Sequence, residues 1–195
     1  MTYSSNATGI LLAAGLGTRF DPSGIHNKLL APLPNGTPVV FQSARRLLSV
    51  VEQVVAVVRP GAEKLADVLN EAGCDVIFVI DAERGMGATL AAGVRARSDA
   101  EGWLVALGDM PWIEAQTIEA VARALDGGTS LVAPYYRGER GHPVGFGRAH
   151  REALGTLDGD AGARSLLALN PVRRIDVDDP NILRDVDFPA DLSGR

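Results

Sequence analysis

Two glycines and two cations stand together near the start of the chain. Gly15 and Gly17 follow the apolar run Ile10 to Ala13, and Arg19 and Lys28 come soon after. Glycine lets a backbone turn sharply and approach a ligand closely, because no Cβ stands in the way. Unpaired backbone N–H groups in such a turn form an anion-binding concavity. Leu12, Ala13, Ala14, Gly15, Gly17 and Thr18 supply the turn, and Arg19 and Lys28 supply the charge. That combination is a grip for a triphosphate, although an ordinary strand-to-helix turn with surface charges also accommodates Gly-x-Gly. Two better-known phosphate motifs are excluded. Phe20 stands where the third glycine of a dinucleotide fingerprint belongs, and no Gly-Lys pair exists to form a P-loop.

Carboxylates recur at positions that face the same chemistry. Asp109, in Gly108-Asp109-Met110-Pro111, follows the apolar run Trp103 to Leu107 and projects from its end. There it can hold Mg²⁺, commonly bound through one or two carboxylates plus substrate phosphates, or it can cap the helix after Pro111. Asp185 and Asp187 alternate along an extended segment and share a face. They either complete a divalent site or cap a terminal helix starting at Ala190. Asp81 ends another apolar run, and Gly85-Met86-Gly87-Ala88-Thr89 opens the next helix, where glycines suit a phosphate or ribose. The same glycines also fit a flexible loop. His142, in Gly141-His142-Pro143 beside Arg137 and Arg140, can contact an anionic substrate or carry a proton. A surface-loop histidine is the ordinary alternative, and His26 and His150 receive that reading. Arg164, after Gly159-Asp160-Ala161-Gly162-Ala163, is free to reach an anion.

The elements that must position these groups alternate almost to the end. Ile10 to Ala13, Val54 to Val58, Val76 to Ile80, Trp103 to Leu107, Leu131 to Ala133, Val144 to Phe146 and Val172 to Val177 read as strands. Val39 to Val50, Ala62 to Glu71, Met86 to Arg97, Ala115 to Leu125 and Ala161 to Leu169 read as helices. Pro38 suits a helix start, and Gly73 a C-terminal cap. Strands alternating with helices of this length predict an α/β fold around a mostly parallel sheet. In such a sheet ligands sit outside the carboxyl ends of the strands, which selects the loops after Ala13, Val58, Ile80, Leu107 and Ala133.

Bulk composition narrows the class further. With 195 residues, 46% of them hydrophobic and 22% charged, the chain is ordinary globular material and is expected to form one domain over residues 1–195. A net charge of −5 argues against a nucleic-acid surface, whose footprint is a basic patch. Cys74 has no partner cysteine, and its apolar surroundings predict a buried structural thiol. No apolar run approaches the ~18 residues of a membrane span. Met1 to Thr8 lacks a basic start to a signal peptide, so the expected location is cytoplasmic. There is no Gly-x-Ser-x-Gly elbow, and one cysteine with three dispersed histidines gives no zinc spacing.

Taken in order, these segments resemble the family of molybdenum cofactor cytidylyltransferases and molybdopterin guanylyltransferases. The resemblance rests on Leu12-Ala13-Ala14-Gly15 with Arg19 and Lys28, Gly85-Met86, Leu107 to Pro111, Arg140 to Val144, Gly159 to Arg164 and Asp185 to Pro189. It implies a Rossmann-like three-layer sandwich of the nucleotide-diphospho-sugar transferase type. It also implies transfer of a nucleoside monophosphate to a phosphorylated acceptor. Ala14, in place of the guanylyl branch's glycine, points to CTP, and the resemblance as a whole implies a molybdopterin acceptor and transient contact with a molybdoenzyme or its chaperone.

On this resemblance Asp109 and Asp187 hold Mg²⁺ or Mn²⁺, while Arg19 and Lys28 steady the leaving phosphates. Leu12 to Gly15, Gly17, Thr18, Asp81, Gly85, Thr89 and Gly108 line the nucleotide, and Arg140, His142 and Arg164 take the acceptor. Three departures stand out. The segment Asp21 to Asn27 is longer than the family's gap, Gly87 and Thr89 replace serines, and Phe188 replaces a threonine. Transfer to a sugar or polyol phosphate, guanylyl transfer, and a nucleotide- or cofactor-binding carrier are the alternatives.

Overall fold

The computed structural model describes residues 6–125, 128, 130–160 and 162–193. Eight strands form one sheet: β1 (Thr8–Leu12), β2 (Val54–Val58), β3 (Asp75–Phe78), β4 (Gly102–Leu107), β5 (Leu131–Tyr136), β6 (Glu139–Arg140), β7 (Val144–Gly147) and β8 (Arg173–Asp176). Their order is β3-β2-β1-β4-β7-β5-β6, with β8 paired to β5. The first four run parallel, β7 is antiparallel to β4 and β5, and β8 is parallel to β5. The sheet is mostly parallel where the glycine loop emerges.

Helices cover both faces, which makes three layers. Helices α1 (Val39–Leu48), α2 (Glu63–Ala72) and α4 (Ala115–Ala124) bury Leu47, Leu69 and Val121 on one side. Helices α3 (Met86–Ala96), α5 (Arg151–Gly155) and α6 (Arg164–Leu169) bring Leu90, Val94, Leu154 and Leu166 to the other. Covering both faces is why β2 reads Val-Val-Ala-Val-Val and is buried throughout, as central parallel strands are.

Several expected boundaries move. The third strand ends at Phe78, because Ile80–Arg84 winds into a 3₁₀ turn rather than continuing the ladder. The fifth runs on to Tyr136, since β8 pairs with it through Tyr135. Helix α6 is helical only from Arg164; the expected start at Ala161 lies outside the described residues. Asp109 caps nothing: α4 begins at Ala115 behind Glu114.

Cys74 is buried just before β3, and burial pushes its thiol up to about 12, with Asp75 adding to the rise. The reactive thiolate is therefore scarce at neutral pH. In native buffer at pH 8, Cys74 should react with a water-soluble disulfide reagent only as fast as the protein opens, and at once in denaturant. Rapid native-state labelling would contradict this burial.

Candidate active site

The site begins with strand register. Leu12 of β1 lies opposite both Val57 of β2 and Leu107 of β4. The three strands thus end in one row, and Arg59, Ala14 and Asp109 follow two residues later in each. Ala13 N–H donates to the Val57 carbonyl at 3.0 Å, and Gly108 N–H to the Leu12 carbonyl at 2.9 Å, so both loops leave the sheet in fixed directions. Ser43 Oγ on α1 donates to the Gly108 carbonyl at 2.9 Å and pins the second loop from below.

Beyond Ala13 the chain opens a cavity of about 1050 Å³. Gly17 turns at φ +65, a left-handed conformation that side chains disfavour. A Cβ on Gly15 would meet nothing within 4 Å, so this loop is bare toward the cavity. Lys28 lies on a 3₁₀ turn, Lys28–Leu30, capped where Asn27 Oδ1 accepts from Leu29 N–H at 2.9 Å. Its ammonium donates to Asp109 Oδ2 at 2.6 Å and to Asp187 Oδ1 at 3.3 Å, and Arg19 pairs with the other oxygen of Asp187.

Asp187 arrives on a strap that crosses the sheet's end. Asp179, 1% exposed, anchors the strap by accepting from Glu114 N–H and Thr117 Oγ1, each at 2.9 Å. The His142 N–H then donates to the Ile182 carbonyl at 3.1 Å, and Val186 N–H to the Asp109 carbonyl at 2.9 Å. This stitching gathers Asp109, Asp185 and Asp187, whose carboxylate oxygens lie within 4.8 Å of one another. Asp109 Oδ1 is buried without a hydrogen-bond partner. Partial burial and the charges of Asp187 and Asp109 hold the Asp185 carboxyl above its ordinary pKa. Three oxygen donors with one orphaned oxygen fit a hard divalent cation such as Mg²⁺ or Mn²⁺. The terminal turn, Pro189–Ser193, is capped by Asp191, which accepts from Asp187 and Phe188 N–H.

Leu12 to Gly15, Gly17, Thr18, Arg19, Lys28, Gly85, Thr89, Asp109 and Asp187 all line the one cavity. Gly108 does not, its backbone being engaged with Leu12 and Ser43. Asp81 turns away, 3.8 Å from Arg84, into a separate cavity of about 220 Å³ bounded by Asp158. Arg140 and Arg164 are exposed and outside the large cavity. His142 is not a surface-loop residue. Continuing the β4–β7 register sets it opposite Leu107, where its Nδ1 is buried and unpartnered. Burial pushes the imidazole below its ordinary range, against the pull of Asp109.

Sequence reading assigned no role to Arg59 and Asp160, which line the large cavity, or to Asp179 and Asp191, which hold the strap and its terminal turn. A polar residue directly after a buried strand marked the first, but the others depend on how the loops dock. Gly87 is explained by contact. Its N–H donates to the Gly159 carbonyl at 2.7 Å, and a Cβ there would lie 2.5 Å from the Asp158 carbonyl oxygen.

A glycine loop, paired cations and clustered carboxylates at parallel strand ends define a nucleotidyltransferase of the nucleotide-diphospho-sugar transferase fold. The chain belongs to the MobA-like NTP transferase domain family, which matches residues 9–176. It is 32% identical over 189 residues to the nicotine blue oxidoreductase of Paenarthrobacter nicotinovorans, covering 92% of this chain and 91% of the relative. Rv0371c of Mycobacterium tuberculosis H37Rv superposes with a TM-score of 0.80 at 28% identity, over 97% of this chain and 98% of its own. A manganese complex of that protein gives 0.69 at 26%, over 88% of both chains. CMP:2-keto-3-deoxy-manno-octonic acid synthetase complexed with CTP shares the fold, with a TM-score of 0.75 at 14% identity over 96% of both.

Gly141 tests the strap. A Cβ there would lie 2.4 Å from the Ile182 carbonyl oxygen and 2.6 Å from its Cβ, so the strap must shift. Gly141→Ala should cost about 1–3 kcal/mol of stability, as overpacking does, and weaken Mn²⁺ binding measured by calorimetry. Unchanged melting and unchanged Mn²⁺ affinity would show that the strap does not set the carboxylates.

Proposed function

We propose that this chain transfers CMP from CTP to the phosphate of a molybdopterin-type acceptor and releases pyrophosphate. The observation that carries the reading is the meeting of Lys28, Arg19, Asp109 and Asp187 beside a bare glycine loop in one cavity. Family membership supports nucleotidyl transfer. The choice of CTP is supported by Ala14 and by a fold neighbour complexed with CTP. The acceptor rests on the motif resemblance.

In the reaction an acceptor phosphate oxygen forms a bond to the α-phosphorus, while the bond from that phosphorus to the β-phosphate oxygen breaks. The acceptor phosphate is already ionised at neutral pH, so the chain needs no strong general base. Backbone of Ala14 to Gly17 approaches the nucleotide, and Lys28 and Arg19 neutralise the departing pyrophosphate. Asp109 and Asp187, with Asp185 beside them, are the residues that would hold Mg²⁺ or Mn²⁺, which when bound neutralises charge on the triphosphate oxygens. Asp81, Gly108, Arg140, His142 and Arg164 do not line the large cavity, so an acceptor bound by Arg140, His142 and Arg164 extends beyond it.

A second reading has one observation behind it: the relative at 32% identity is named an oxidoreductase. Pyrophosphate release separates the two, since a redox reaction in the same cavity produces none.

Asp109→Ala should keep the far-ultraviolet circular dichroism of the parent while nearly abolishing turnover and its metal dependence. A folded variant with undiminished metal-dependent turnover would remove Asp109 from the reaction.

Base preference is measured by pyrophosphate release with each triphosphate varied against molybdopterin cofactor. CTP should be favoured over GTP and ATP, and Ala14→Gly should relax the preference. Rejection by shape alone amounts to roughly ten- to two-hundred-fold. Use of GTP or ATP at least as efficiently as CTP would overturn the cytidylyl assignment and leave nucleotidyl transfer standing.

A further inference from the structure

Three cations line the large cavity on or beside its glycine loop and strand ends, and two of them are already engaged. Lys28 holds Asp109 and Asp187, and Arg19 holds Asp187. Arg59, the residue directly after β2, lines the same cavity and is half-buried, yet it pairs with no carboxylate and makes no hydrogen bond among the described residues. A planar guanidinium with a fixed fork of donors, held at a cavity wall, calls for a partner with two adjacent acceptors.

Its distance from the carboxylates decides which partner. Arg59, Ala14 and Asp109 each lie two residues past the register row Val57–Leu12–Leu107. Neighbouring strands are spaced by roughly 4.8 Å, so the backbones of Arg59 and Asp109 stand about 10 Å apart across β1. Phosphates held at Lys28 and Asp109 therefore leave Arg59 at the far end of the molecule. The other side of that row is taken by the strap from Ile182 to Asp187, which is bonded to His142 ahead of β7 and to Asp109 after β4. The cavity instead continues past Ala14 to Pro60, Ile80 and Gly85. A nucleotide anchored by its phosphates spans that row and delivers its base to Arg59.

We propose that Arg59 is a base-reading residue whose guanidinium donates to two adjacent acceptors on one edge of the nucleobase. The inference rests on the nucleotide-binding reading above. Cytosine offers O2 and N3 as neighbouring acceptors, whereas uracil presents O2 beside an N3–H donor that opposes the fork. Guanine offers O6 and N7, and adenine puts an amino donor beside N7. Arg59 thus selects cytosine over uracil and guanine over adenine. The bulk of Ala14 acts on a different axis, pyrimidine against purine, and the two filters together leave cytosine. Shape cannot make the first distinction, because cytosine and uracil have nearly the same outline.

Calorimetry of the full chain in Mg²⁺ with CTP, UTP, GTP, ATP and inorganic pyrophosphate tests this on the parent, Arg59→Lys and Arg59→Ala. The parent should prefer CTP to UTP by roughly ten- to a hundredfold, the range of one bidentate contact. Both variants should bring CTP and UTP to near equality while binding pyrophosphate like the parent. Arg59→Lys keeps the charge without the fork, so loss of discrimination there isolates geometry from electrostatics. If the parent prefers GTP to ATP and the variants erase that preference, Arg59 remains a base reader and the cytidylyl assignment fails. An unchanged CTP-to-UTP ratio in both folded variants overturns the inference and leaves CTP binding intact. Equal losses for CTP, UTP and pyrophosphate also overturn it, by making Arg59 a phosphate cation. A parent that binds no triphosphate overturns it together with the nucleotide reading.

Discussion

Carboxylate repulsion is the constraint that the rest of this structure answers. Asp109 and Asp187 are only 19% and 15% exposed and share a cluster within 4.8 Å. Two like charges at that separation repel by roughly 3–4 kcal/mol at an effective dielectric of about 20. The fold would not hold them together unaided. Lys28, itself 11% exposed, bridges both, and Arg19 takes the outer oxygen of Asp187. The two cations therefore assemble the carboxylates, and they do so at the wall of the large cavity. Arg59 has no such obligation, which is why it is open to a ligand of its own.

Backbone geometry carries the rest of the cluster. Asp109 and Asp187 belong to segments far apart in the chain, and side-chain attraction alone would not align them. The Val186 to Asp109 and His142 to Ile182 hydrogen bonds fasten the strap to the end of β4, and Gly141 lets it approach. Asp179 fixes the strap's other end to the start of α4. The sheet's parallel half thus presents the loops, and its antiparallel half, through Gly141 and His142 ahead of β7, holds the strap that completes them.

The parallel core was legible because burial on both faces leaves an almost unbroken apolar run. Val54 to Val58 needs no other information, and β1 and β4, the next two strands of the sheet's order, read the same way. Asp109 was legible from the position of a carboxylate directly after such a run. His142 was not, because the burial of its Nδ1 depends on cross-strand register beyond β7 and on a strap that docks from Ile182, and neither is a local pattern. Asp81 followed an apolar run just as Asp109 does, yet the chain turns into a 3₁₀ helix there and carries it to Arg84 and the smaller cavity. Strand-end position identifies candidates; the turn that follows decides where they point.

The same distinction accounts for the departures from the family pattern. The longer segment between Phe20 and Lys28 does not displace the lysine, because it closes on itself. Asp21 accepts from Ser23 N–H at 2.9 Å, from Ser23 Oγ at 2.6 Å and from His26 N–H at 2.7 Å. These bonds hold its carboxyl well below the usual carboxylate range. A carboxylate that gathers both ends of its own loop makes the extra residues an excursion, and Asn27 restarts the chain as the cap of the turn bearing Lys28. Phe188 is tolerated for a related reason. The segment beside Asp187 is held without a side-chain cap at position 188, because Asp191 reaches back from the turn and its Oδ2 accepts from both Asp187 and Phe188 N–H. In each case a local side-chain-to-backbone cap absorbs the change, so the charged groups reach the cavity although the sequence between them differs.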